Sequence, residues 1–374
     1  MKIGILTWLH NNNYGTVLQA YALQYFLRDN SFNVTNIDYS PNSIQKAINL
    51  IKYRNSVLLF LEKKQAYKAK KKCTAEEIAS KELKFERFLS DKFILSRKYK
   101  KPKELFECDN KYDLLICGSD QIWSPELLNP VFYLNFIKET SKISYATSFG
   151  VSLIVKKHKE ERIKKLLENY VAISVREIEG KNILEKIGFL DVALVADPTL
   201  LIEKNHWNLV AKKVECKRPY LLCYLLSDNS EYYENIQKYA KENGLLILTI
   251  PVDVASYQFG DMSLKNAGPE EWVGAIKNAE IVCTDSYHGL IFSTIFEKKC
   301  RVFKRFQDDN RKSQNSRIYY LLDVMGVVGS FDGKCYMDIA EKQYPTINER
   351  LGAYVKFSQE WLINIIRKVE NADE

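Results

Sequence analysis

The run IVCTDSYHGLIFSTIF (281–296) opens apolar, turns polar and closes apolar. IVC (281–283) has the length and character of a buried strand, and LIFSTIF (290–296) that of a helix packed on it. The polar TDSYHG (284–289) falls on the turn between them. Strand, turn and helix in this order form one unit of an α/β sheet. At the carboxyl end of a parallel strand, side chains face a crevice and the next helix offers unpaired N–H groups to an anion. One of only four histidines, His288, stands there beside Asp285, Ser286 and Gly289. A lone histidine is more often structural, but in this setting we read His288 as a proton donor or ligand contact. Ser286, Tyr287 and Gly289 are read as substrate contacts around it. His10, His158 and His206 lack such a setting.

Working outward, the same alternation fills the chain. Upstream lie strand PYLLCYLL (219–226), helix SEYYENIQKYAKEN (230–243), strand LLILTIPV (245–252) and helix PEEWVGAIKNA (269–279). Gly244 closes the first of these helices and Pro269 opens the second. Before VALVADPTLLI (192–202) stands a separate array. It comprises KIGILTW (2–8), helix VLQAYALQYFLRDN (17–30), FNVTNIDY (32–39), DLLICGS (113–119), KISYATS (142–148) and YVAISVR (170–176). Alternating strands and helices argue parallel sheets covered by helices, and 374 residues exceed one typical domain. The expectation is an α/β protein of two Rossmann-like domains facing a central cleft. The first spans 1–204, with a charged helical insertion about 42–105 on its surface. The second spans 205–374, and its final helix, about 348–370, can return to the first domain.

Composition narrows the class. Lys and Arg number 55 against 47 Asp and Glu, a net +8 that is mild for this length. No basic and aromatic repeat of the kind a nucleic-acid groove uses is present, so nucleic acid is not expected as a partner. The eight cysteines form no CxxC pair and no Cys/His ligand spacing. They read as reduced thiols of a cytoplasmic protein, with no metal site. The N-terminal run reads as a first strand rather than a signal peptide, and the apolar runs are far shorter than the ~20 residues of a spanning helix. The stretch 44–72 is basic, with Glu62 as its only acid. It reads either as a solvated helix pair or as a segment lying on an anionic membrane surface.

Other strand ends carry polar clusters. In CGSDQIWSP (117–125) an apolar strand stops at Gly118. Asp120 and Gln121 can hydrogen-bond sugar hydroxyls and Trp123 can stack on the ring, or Asp120 caps a turn and Trp123 is core. The loop HNNNYGTV (10–17) lacks GxGxxG and a P-loop lysine. Its Asn13, Tyr14, Gly15 and Thr16 either contact a ligand or form a plain turn with Thr16 as helix cap. Arg176, directly after AISV (172–175), can hold a carboxylate or phosphate by two parallel bonds, or pair with Glu177 or Glu179. Arg317 in NSRIYYLL (315–322) has the same two readings, and Lys304 and Arg305 add charge nearby. A serine hydrolase is unsupported: GxSxG is absent, and Asp285, Ser286 and His288 are too close in sequence to converge as a triad.

NNNYGTVLQAYAL (11–23), GSDQIW (118–123), SYATSFG (144–150), SVREIEG (174–180), DPTLL (197–201), TDSYHGLIFS (284–293) and NSRIYYLL (315–322) together resemble the polysaccharide pyruvyltransferase family, in order, from residue 1 to about 330. The resemblance implies a glycosyltransferase-B-like fold with the acceptor on the first domain and the donor on the second. It implies transfer of the enolpyruvyl unit of phosphoenolpyruvate to a cell-surface glycan or its lipid-linked oligosaccharide precursor, forming a pyruvate ketal without cofactor or metal. On that footing His288 is the acid, Asp120 or Asp285 takes the hydroxyl proton, and Arg176, Arg317 and the Lys304/Arg305 pair hold the donor. A cytoplasmic protein, peripheral on the inner face of the membrane, fits such an acceptor. Two departures stand out. Ser286-Tyr287-His288-Gly289 replaces the family's Arg-Leu-His-Gly, and GSDQIW replaces a glycine-rich strand end. The competing readings are a nucleotide-sugar glycosyltransferase and a non-catalytic glycan-assembly protein.

Overall fold

A computed structural model describes residues 1–41, 71–306, 314–327, 331 and 336–372. All but the last two residues of the basic stretch 44–72 lie outside them.

Strands β1 (Lys2–Leu6), β2 (Asn33–Asn36), β3 (Leu114–Cys117) and β4 (Ser141–Ser144) form a parallel sheet in the order β2-β1-β3-β4. Strands β5 (Ile173–Val175) and β6 (Val192–Leu194) extend it through the bridges Ile143↔Ala172 and Thr147↔Val175. The second sheet contains β7 (Tyr220–Tyr224), β8 (Leu246–Thr249), β9 (Met262–Ser263), β10 (Ile281–Thr284), β11 (Lys299–Phe303) and β12 (Tyr336–Ile339). Its order is β12-β11-β10-β7-β8-β9, with only β12 antiparallel. The central strands are apolar from end to end, as strands covered on both faces must be. The chain is thus the α/β, two-sheet Rossmann-like protein expected from its alternation.

In each sheet the strand order reverses beside the first strand, at β1/β3 and at β7/β10. Loops on either side of such a reversal diverge and leave a crevice at the carboxyl ends. The two crevices face each other.

The helix after β1 runs Tyr14–Asp29, three residues earlier than its apolar run begins. Asn13 rather than Thr16 is its cap, the Asn13 side chain accepting from the Thr16 N–H at 3.2 Å. Helix Ala75–Lys92, opened by a Thr74/Glu77 capping box, does not lie on the surface of the first domain alone. Phe85, Phe88 and Leu89 make an apolar stripe buried in one core with Tyr14 and Trp272, and Lys84 reaches Glu271 of the second domain at 3.1 Å. The last helix, Tyr344–Ala372, starts on the second sheet, where the Tyr344 hydroxyl donates to the Lys298 carbonyl at 2.6 Å. It ends on the first, with Leu362, Ile366 and Val369 in a core shared with Ile3, Ile5 and Ile116.

Candidate active site

The facing crevices form a pocket open to solvent, with about 700 Å³ of free space between its walls when the open mouth is included. Trp8, Asn11, Asn13, Gly15 and Thr16 line it after β1, and Asp120 and Gln121 after β3. Asp285, Ser286, Tyr287 and His288 line it after β10, Arg305 after β11, and Gln314 and Arg317 at the start of helix Ser316–Val324.

His288 is placed by its strand end. The Thr284 hydroxyl donates to the Tyr224 carbonyl at 2.7 Å and accepts from the Ser286 N–H at 3.0 Å. Ser286 then caps helix Tyr287–Ile295, taking the Gly289 N–H at 3.2 Å. So the helix starts at Tyr287 and His288 sits in its first turn. Gly289 serves the turn rather than a ligand, since a Cβ there would lie 2.4 Å from the Thr284 hydroxyl oxygen. The His288 ring crosses to the first domain, where Nε2 lies 3.5 Å from Asp197 Oδ2. A Cβ on Gly15 would come within 2.1 Å of His288 Nδ1. Glycine at 15 is therefore what allows the ring to seat. Gly15→Ala should lower kcat on the order of 10²-fold through displacement of His288, with a thermal midpoint close to that of the parent; unchanged kinetics would show that the ring tolerates the shift.

Beneath the pocket, Arg176 joins two carboxylates. Nη2 donates to Asp120 Oδ1 at 3.1 Å, and Nη1 to Asp197 Oδ2 at 2.7 Å and to the Ser119 hydroxyl at 3.3 Å. Its side chain has no exposure, so it does not reach a ligand, and neither sequence reading of Arg176 matches its place. Glu177 is engaged elsewhere, accepting from the Ser148 hydroxyl at 2.7 Å. Burial pushes the Asp120 carboxyl up, but Arg176, His288 and the Thr16 hydroxyl more than reverse this, and it stays below the usual range. Thr16 donates to Asp120 Oδ2 at 2.5 Å. Asp197 behaves alike: burial raises it, and His288 and Arg176 outweigh burial. The Asp120 backbone has φ +82° and ψ 177°, a region natural only to glycine, at about 1–3 kcal/mol for another residue. A glycine-rich strand end would adopt it freely; here it carries a carboxylate to the pocket floor.

The cations lie on the other wall. Arg317 Nη2 donates to Gln314 at 2.6 Å, while its Nε is buried without a hydrogen-bond partner among the described residues. Burial, reinforced by Arg176 and Arg305, pulls the Arg317 guanidinium down to about 10, a group short of an anion. Both guanidiniums lie near the Tyr287 ring, that of Arg176 at 5.1 Å and that of Arg317 at 5.7 Å from its centre. Lys304 does not line the pocket; its amine sits 5.0 Å over the Phe331 ring.

Three other residues expected to contact substrate are held by the protein instead. Trp123 is fully buried, its indole N–H donating to the Phe132 carbonyl at 3.0 Å and its ring stacked on Tyr133 at 5.3 Å, so its core reading is the one the structure has. Tyr14 is stacked on Trp272 and donates to the Ala267 carbonyl at 2.9 Å. Asp285 borders the pocket, yet its oxygens take the Leu226 N–H at 2.6 Å and the Ser227 N–H and hydroxyl at 3.0 and 2.5 Å. It fastens the loop after β7 to β10. Sequence reasoning missed Asp197 and Trp8, and it read Thr16 as a ligand contact or helix cap rather than as the donor to Asp120. An acid before proline at the end of VALVA had the same strand-end signal as TDSYHG; Trp8 had none beyond its loop.

Among the described residues no group of three or more His, Cys, Asp or Glu side chains could hold a metal ion, and no helix is long and apolar enough to cross a membrane. A family model described as polysaccharide pyruvyl transferase matches residues 13–305. No curated protein matches the chain significantly. Solved structures resemble it over nearly its whole length. A UDP-GlcNAc 2-epimerase from Neisseria meningitidis, bound to UDP-GlcNAc, is 9% identical with a TM-score of 0.52, covering 98% of this chain and 100% of its own. Anabaena HepE, in complex with UDP and glucose, is 7% identical with a TM-score of 0.52 and the same coverages. An alpha-glucosyltransferase in complex with UDP and a 13-mer DNA is 10% identical with a TM-score of 0.52, covering 98% and 99%. At such identities the likeness is one of fold, the glycosyltransferase-B-like arrangement of two facing domains.

Proposed function

The chain belongs to the polysaccharide pyruvyl transferase family, and from that premise we propose that it transfers the enolpyruvyl unit of phosphoenolpyruvate to two hydroxyls of a glycan or lipid-linked glycan, forming a pyruvate ketal. The observation that carries the reading is that an imidazole, a carboxylate and an under-partnered guanidinium, those of His288, Asp120 and Arg317, line one pocket. Arg317 and Arg305 hold the donor's carboxylate and phosphate, aided by the first N–H groups of the helix that Ser286 caps. They take the place of the arginine that Ser286 lacks. His288 protonates the methylene carbon, an acceptor hydroxyl adds at C2, and Asp120 takes its proton. Phosphate then leaves, and a second hydroxyl closes the ring, its proton passing out with the phosphate. A lipid-linked acceptor would bring the enzyme to the inner face of the membrane.

Phosphate release from phosphoenolpyruvate, dependent on a lipid-linked oligosaccharide, tests the reading. Tight binding of a uridine or guanosine diphosphate sugar with none of phosphoenolpyruvate would replace it by a glycosyltransferase, the second reading, which the UDP-bound structures of the same fold favour. Arg317→Ala should raise the KM for phosphoenolpyruvate about 10- to 100-fold, the scale of one charged hydrogen bond, with a smaller change in kcat. An unaltered KM would take Arg317 out of the donor site.

A further inference from the structure

Asp197 is held by three donors. It caps the turn Pro198–Leu200, with Oδ1 accepting the Thr199 N–H at 3.0 Å and the Thr199 hydroxyl at 2.7 Å. Oδ2 takes Arg176 Nη1 at 2.7 Å. The same oxygen faces His288 Nε2 at 3.5 Å, and the Asp197 side chain is fully buried. A carboxylate with three donors fixed and one direction left open is a rigid acceptor aimed at whatever approaches it.

What approaches it is the other domain. His288 rides on the helix after β10, and both walls of its seat, Asp197 and Gly15, belong to the first domain. Nε2 is buried and makes no hydrogen bond among the described residues, whereas Nδ1 lies against Gly15, itself a residue of the pocket lining. An N–H···O bond forms at about 2.7–3.2 Å, so the gap closes with a domain movement well under 1 Å. Catalytic hydrogen bonds are often long in the free protein and tighten on binding substrate.

We propose that Asp197 is the positioning residue for His288: when the domains close on substrate it accepts the Nε2 proton, fixing the ring with Nδ1 toward the pocket as the nitrogen that donates. The imidazole is then competent only in the closed protein, which couples proton transfer to the presence of both substrates and spares the donor from protonation in an open cleft. This rests on His288 acting as the acid in the proposed transfer.

Asp197→Asn keeps shape and one acceptor oxygen. It should lower kcat about 10²- to 10³-fold while the KM of each substrate stays within about threefold. The double variant with His288→Ala should be no slower than His288→Ala alone, because the two act as a unit. A residue that only supports the fold would add its own loss to the double variant, and that additivity would overturn the proposal. A second readout needs no turnover: the rate at which diethyl pyrocarbonate modifies His288 in protein saturated with phosphoenolpyruvate, where the closed form is populated, mapped by peptide mass spectrometry. Release of the ring should raise that rate tenfold or more in Asp197→Asn, and equal rates in both proteins would also overturn it. Should Asp197→Asn not fold, Thr199→Val, which removes one anchor of the carboxylate, should shift both readouts in the same direction by a smaller factor; unchanged readouts count against the proposal. Absence of phosphate release in the parent protein sinks the reaction, while the modification rates still decide the role of Asp197.

Discussion

Replacing His288 with alanine lowers kcat by about 10³-fold or more and leaves the folded state almost as stable as before. General acid catalysis typically contributes 10²–10⁴-fold, and this imidazole is the only one that lines the pocket. Its removal breaks no strong bond, since Nε2 has none among the described residues and the nearest carboxylate stands 3.5 Å away. Steady-state phosphate release and a thermal melt measured side by side check both halves. Normal turnover would take His288 out of the chemistry, and a collapsed melting transition would recast it as a structural residue.

Arg176→Met has the opposite profile. It should destabilise the protein by about 3–5 kcal/mol, the usual result of removing one side of a buried ion pair, because Asp120 and Asp197 then remain buried without their shared cation. Against a typical stability of about 5–15 kcal/mol this is a large share. The sequence suggests that replacing Arg176 mainly raises the donor KM; complete burial turns the expectation from binding to folding. The pH dependence has a definite sign. Both carboxyls are held below their ordinary values in the folded protein. Their contribution is therefore present above the unfolded value near ~3.9 and fades as pH falls through the lower folded values. The deficit of the variant should be greatest near neutrality and shrink as pH falls below about 4, where the unfolded chain takes up protons that the folded parent accepts only at lower pH. Urea unfolding at pH 7 and pH 3 measures it; a deficit of equal size at both would mean that packing, not charge, is what Arg176 supplies.

The sheets were legible because their strands are short apolar runs bounded by turns, and the loops of the site because polar residues interrupt those runs at strand ends. Asp120 and His288 were picked out this way, and Arg317 by its place before an amphipathic helix; all three line the pocket. Partnerships were not legible. Arg176 meets acids 56 and 21 positions away, and nothing local in SVREIEG distinguishes them from the adjacent Glu177. Trp123 was misplaced for a related reason: an aromatic at a strand end serves a sugar or a core equally well until the neighbouring Tyr133 is in place. Helix Ala75–Lys92 read as a surface element because its many charges hide a stripe of only three buried residues.

That helix also bears on how the halves can move. Among the described residues the ties across the boundary between the sheets include three: Phe85 and Lys84 of this helix, the connection at Ile202–Lys204, and the last helix, whose far end brings Glu370 within 3.5 Å of the Met1 amino group. A body tied at three points can rock but cannot be drawn apart. For the function proposed above, a bulky lipid-linked sugar would therefore enter edgewise along the open rim of the pocket, and each cycle would ask only for a small rotation about those ties.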